Sequence, residues 1–150
     1  MPRSPGRPRP APGELEAARG RAVPDVVVDG LRLLLVGINP GLWTAWSGHH
    51  FARPGNRFWT ALHAAGITPR VLVPSEEREL LALGIGITNM VPRATAAADE
   101  LSRDEIRAGD ERLQACAAVA AYAVGDGLEI PGVALVAHAS RSSAAISSTP

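Results

Sequence analysis

The chain has 150 residues, with 15 basic and 15 acidic side chains and a formal net charge of zero. That length suits one domain with a substantial core, and the charge balance argues against coating nucleic acid by bulk electrostatics, while leaving room for a local basic face. Cys116 is the only cysteine and every basic residue is Arg, which excludes an intrachain disulfide, a cysteine-built metal or iron–sulfur site, and Schiff-base chemistry on lysine.

No run approaches the roughly 20 apolar residues that a bilayer span requires. The first residues are basic but lack the apolar run of a secretory signal, so a cytoplasmic protein is expected. Residues 1–22 are rich in Pro, Gly and Arg without apolar periodicity, and the expectation is a solvated, disordered tail. Asp29-Gly30 then divides two β-rich pieces, the second of which, 31–37, is predicted to be a central strand. A Gly- and Trp-rich loop is expected over 39–55. The stretch "NRFWTALHAAG" predicts a helix with Asn56 as N-cap and Gly66 as its stop, burying Phe58, Trp59 and Leu62. "PSEERELLALG" predicts another, capped by Ser75, with Glu76 and Glu77 in the first turn and Gly84 at the end.

Residues 85–91, "IGITNMV", are predicted to form a second strand with polar side chains at its carboxyl end. Ser102 and Glu105 form a capping box for a helix reaching to about residue 120. From about 115 the text becomes Ala- and Ser-rich, with one more strand possible over 132–138. Alternating strands and helices imply an α/β fold with a mostly parallel central sheet. In such sheets ligands bind beyond the carboxyl ends of the strands, where Asn39 and Asn89 both fall.

"GINPG", 37–41, has neither the glycine spacing nor the lysine of a phosphate-binding loop, and it is no dinucleotide turn. Pro40 fixes the backbone just after Asn39, holding its amide rigidly. A neutral amide orients water but is a poor proton acceptor. It suits a reaction whose bond breaks largely unaided, through a cation-like sugar. The alternative is that Asn39 only satisfies backbone groups in a turn. Downstream, "WSGHHFARPGNRFW" interleaves Trp46, His49, His50 and Phe51 with Arg53 and Arg57, a pattern suited to stacking an unpaired base. Two adjacent histidines seldom converge on one zinc ion, so no metal site is expected.

With "GINPG", "GHHFARPGNRFW" and "GITNMV" in order, the chain resembles the mismatch-specific uracil- and thymine-DNA glycosylases of the uracil-DNA glycosylase superfamily. The resemblance implies a three-layer α/β/α domain that flips uracil, and in some members thymine, from a mispair with guanine in double-stranded DNA. It implies hydrolysis of the base–sugar bond without metal or cofactor, by a monomer in the cytoplasm at the nucleoid. On the matching positions, Asn39 positions the attacking water and Phe51 stacks on the base. Backbone N–H groups near Ile38 and Phe51 hold the uracil carbonyls, in the manner of an oxyanion hole. Thr44 tunes the pocket, His50 sits at its edge, and Asn89 lies near its wall.

The family's second motif, "NPSG", does not occur in the chain, and "VAHAS", with His138, Ala139 and Ser140, only faintly resembles an alternative form of it. The domain is therefore expected to span 23–114 and to be incomplete at its C-terminal end, with 115–150 an atypical tail. The alternative function is a glycosylase-derived module that binds DNA without cutting, or a truncated, non-functional product.

Overall fold

The computed structural model describes residues 9–120, 123–124 and 133–138. Strands β1 (Leu33–Gly37) and β2 (Ile85–Asn89) run parallel, with Gly37 paired to Asn89. Side chains alternate across a strand, so Leu33, Leu35, Ile85 and Ile87 share one face. That face forms the main core with Phe58, Trp59, Leu62, Leu72 and Leu80. The α/β class expected from the sequence is borne out.

The helix α3 (Phe58–Ala64) has Arg57, not the expected Asn56, at its N-cap, although Asn56 Oδ1 accepts the Phe58 N–H at 2.8 Å from one residue earlier, and the chain leaves the helix through Gly66 at φ 72°. The long helix α5 (Arg103–Ala120) carries the anticipated capping box: Glu105 N–H donates to Ser102 Oγ at 3.1 Å, and Ser102 N–H to Glu105 Oε2 at 2.9 Å.

Several expectations need correction. The 39–55 loop contains a helix, α2 (Leu42–Ser47), which ends at Gly48 with φ 74°. Ser75 is not a helix cap, because it lies inside a 3-10 turn, Pro74–Glu76, and only Glu79–Ala82 (α4) is α-helical beyond it. Glu76 instead accepts the Val73 N–H at 3.0 Å. Glu77, expected at a solvent-facing helix start, is only 6 % exposed.

Residues 1–8 and 139–150 lie outside the described residues, but the part of the presumed tail from residue 9 onward is packed against the domain. It forms α1 (Glu14–Ala17), and Ala18 and Val23 bury themselves with Ala45, Ala94 and Trp46 in a second small core. Gly20 N–H donates to Ala94 O at 2.9 Å, and Ala94 N–H returns to Arg21 O at 3.0 Å. Arg19 reaches both Glu16 and Glu100.

The sheet is also wider and less parallel than anticipated. Strand β4 (Val133–His138) pairs antiparallel with β1, and β3 (Ala123–Val124) pairs antiparallel with β4, giving the order β2-β1-β4-β3. The strand held possible over 132–138 is thus present, and the stretch set apart as an atypical tail covers one edge of β1 with it.

Helix α5 meets β2 at a contact that only glycine allows, since a Cβ on Gly109 would stand 2.2 Å from the Met90 carbonyl oxygen. Alanine is the better helix former by about 1 kcal/mol, whereas overpacking of this kind costs typically ~1–3 kcal/mol, and backbone cannot swing aside as a side-chain end does. Packing should win: Gly109→Ala is expected to destabilise by about 1 kcal/mol or more in urea unfolding, and an unchanged or raised midpoint would refute the contact.

Candidate active site

Beyond the carboxyl ends of β1 and β2 lies a cleft of about 360 Å³. Asn39, Thr44, His50, Phe51 and Asn89 all line it, so five of the six residues singled out in the sequence meet in one place. Ile38 is the exception. It is not part of the lining, and its carbonyl is taken by the Val91 N–H at 2.9 Å.

Asn39 is held by two hydrogen bonds from its amide nitrogen. Nδ2 donates to Arg93 O at 2.9 Å and to Thr95 Oγ1 at 2.7 Å. An amide nitrogen has two hydrogens, so both are committed and the flip of the group is fixed by its partners. The oxygen, Oδ1, is then the end left to act as an acceptor. Thr95 is itself 1 % exposed, and its hydroxyl donates onward to Ala97 O at 2.7 Å. That uses its single proton, so toward Asn39 it can only accept. The sequence reading missed Thr95 and Arg93.

The His50–Phe51 corner is built differently. His50 is 2 % exposed, and its Nε2 lies 2.9 Å from Pro24 O. A carbonyl only accepts, so Nε2 carries the proton. In the neutral ring Nδ1 is then an acceptor, facing Asn89 Nδ2 at a long 3.5 Å. Phe51 has φ 53°, the only positive φ outside glycine among the described residues. Such a conformation costs roughly 1–2 kcal/mol in a residue with a Cβ. Stacking offsets it, for the Phe51 ring lies 3.8 Å from that of Phe58 at 19° between planes. One ring face is occupied by Phe58 while the residue still borders the cleft.

Glu77, also missed as a site residue, fastens this corner. Its Oε2 accepts the His50 N–H at 2.7 Å and its Oε1 lies 3.1 Å from His49 Nδ1. Gly37 completes the floor, because a Cβ there would come within 2.7 Å of Asn89 Oδ1. The glycine that ends β1 thus makes room for the asparagine that ends β2. Among the described residues no cluster of three metal-ligating side chains occurs, and no helix is long and apolar enough to cross a membrane. Among the described residues, Arg53 brings the only formal charge to the lining, and no carboxylate contributes to it.

The Asn39 anchor continues outward. The Arg93 guanidinium donates to both oxygens of Glu105, at 2.7 and 3.1 Å. With the Ser102 N–H also on that carboxylate, these bonds lower the Glu105 pKa from 4.5 to about 2. A lowered folded-state value stabilises the fold above the unfolded value and is lost as pH falls through the folded one. The contribution is therefore complete above about pH 4.5 and gone near pH 2. The expectation is that Glu105→Gln melts below the parent protein at neutral pH, and that the gap in Tm closes on acidification across this window. A gap independent of pH would show that the ion pair is energetically silent.

The Uracil DNA glycosylase superfamily model matches residues 24–126, more than half of the chain. The match takes in Asn39, Thr44, His50, Phe51, Arg53 and Asn89 and extends beyond residue 114, the domain boundary drawn from sequence. The chain therefore belongs to the uracil DNA glycosylase superfamily, which places it among the DNA glycosylases, a class of hydrolases.

Proposed function

We propose that the protein is a mismatch-specific glycosylase, hydrolysing the base–sugar bond of uracil, with thymine as a second substrate, opposite guanine in double-stranded DNA. The observation that carries this reading is the double tether on Asn39 Nδ2, in the same cleft as the Phe51 ring. With both amide hydrogens committed, Oδ1 accepts an O–H of water and leaves a water lone pair facing C1′. The C1′–N1 bond breaks, its electron pair leaves with the uracil anion, the water oxygen bonds to C1′, and its proton passes to solvent. A reaction through a cation-like sugar needs the water aimed more than deprotonated, which fits a lining free of carboxylates.

Extracting the base from the stack costs a few kcal/mol. Stacking on Phe51 returns roughly 1–3 kcal/mol, and the strained φ of Phe51 places that ring before substrate arrives, so little ordering is needed on binding. Asn89 offers its amide to the Watson–Crick edge, with His50 packed behind it. Exposed Arg53 at the cleft supplies a cation for the flanking phosphate. The protein acts as a monomer at the nucleoid, without metal or cofactor.

The test is release of uracil from a G·U duplex by the purified protein. Asn39→Ala should slow it on the order of 100-fold or more, as when a preorganised polar group is removed from an active site, while affinity for the duplex changes little. Thr95→Val, which frees one amide hydrogen, should fall between Asn39→Ala and the parent. Binding without any release by folded protein would favour the non-cutting module instead. Equal loss of rate and affinity in Asn39→Ala would make Asn39 structural.

A further inference from the structure

Leu15, in the segment that the sequence suggested was a disordered tail, lines the cleft. Helix α1, which carries it, packs on α2. Three separate attachments hold that helix: Ala18 at 0 % exposure, the reciprocal backbone bonds between 20–21 and Ala94, and Arg19 on Glu100. With so many anchors, Leu15 is a fixed part of the wall.

The chemistry of the wall is uneven. Asn89 and His50, from the end of β2 and the turn after α2, are polar, whereas Leu15, Leu42 and Trp43, from α1 and α2, are apolar. A pyrimidine is uneven in the same way. O2, N3 and O4 form one polar edge, and C5 and C6 form an apolar one. A base that satisfies its polar edge at Asn89 turns its C5–C6 edge away from that residue, and on the side of Leu15, Leu42 and Trp43 an unpaired polar group would carry a desolvation penalty.

We propose that Leu15 gauges the substituent on C5 of the bound pyrimidine, so that the N-terminal segment sets base preference as a built-in wall of the site. This rests on the glycosylase reading for its substrate class. A methyl group gained or lost in an apolar pocket shifts selectivity roughly 10–200-fold, and Leu15 is only partly buried, so its replacement leaves the core intact.

The experiment compares Leu15→Ala and Leu15→Phe in the full chain. One readout is excision of uracil and 5-bromouracil opposite guanine, and the other is equilibrium binding of the two free bases. Leu15→Ala should raise the preference for 5-bromouracil over uracil about tenfold, and Leu15→Phe should lower it by a similar factor. Opposite shifts cannot both come from damaged folding. Ratios unchanged in both variants, or moved the same way, overturn the proposal even if uracil is excised normally. Opposite shifts in free-base binding with no excision by any form would support the gauge while refuting the proposed hydrolysis. Failure of the parent protein to bind either base would overturn both.

Discussion

The site depends on a bond pair that removes a degree of freedom. A side-chain amide on a loop can present either its oxygen or its nitrogen to a cleft, and only the oxygen accepts. By committing both Nδ2 hydrogens to Arg93 O and Thr95 Oγ1, the fold chooses the oxygen. Thr95 cannot reverse the arrangement, because its own proton is spent on Ala97 O. The chain of donors runs one way, from Asn39 through Thr95 to a backbone carbonyl. This is preorganisation in a literal sense: the orientation cost is met during folding, before any substrate arrives.

The Phe51 side is organised by strain instead of saturation. A phenylalanine at φ 53° would relax if the neighbouring backbone were free. Glu77 prevents this by holding the His50 N–H, and the Phe58 ring braces the side chain from behind. Both devices use buried or half-buried partners, and both keep carboxylates out of the cleft lining among the described residues. The carboxylate of Glu77 faces the histidine turn, where a buried charge is satisfied by N–H donors.

This division explains what could be read in the sequence. The strands, the Asn56 bond at the start of α3 and the Ser102–Glu105 box were legible because their determinants lie within a few residues of each other, in apolar periodicity or in an i,i+2 or i,i+3 bond. Asn39 and Phe51 were legible through the loop's composition and through family resemblance. Thr95 was not, since it meets Asn39 across 56 positions, and Glu77 meets His50 across 27. "PSEERELL" looks like a solvent-facing helix start until the fold brings the His49–His50 turn against it. The α1 segment misled for a related reason. Its composition is that of a disordered chain, and only the small second core with Ala45, Ala94 and Trp46 makes it worth ordering.

Stability and chemistry consequently share parts. Arg93 presents its carbonyl to Asn39 and its guanidinium to Glu105, which in turn caps α5. Helix α5 is seated on β2 through Gly109 against Met90 and through Arg112 on the Asn89 carbonyl. Asn39, by way of Arg93, and Asn89, through its own carbonyl, are therefore fastened to the same helix. A loosened α5 would release the Arg93 segment and shift the end of β2 together, misplacing the Asn39 oxygen and the Asn89 amide at once. Substitutions on the α5 side of this network, remote from the cleft, belong energetically to the site, and their effects on turnover should not add independently to those of Asn39 or Thr95.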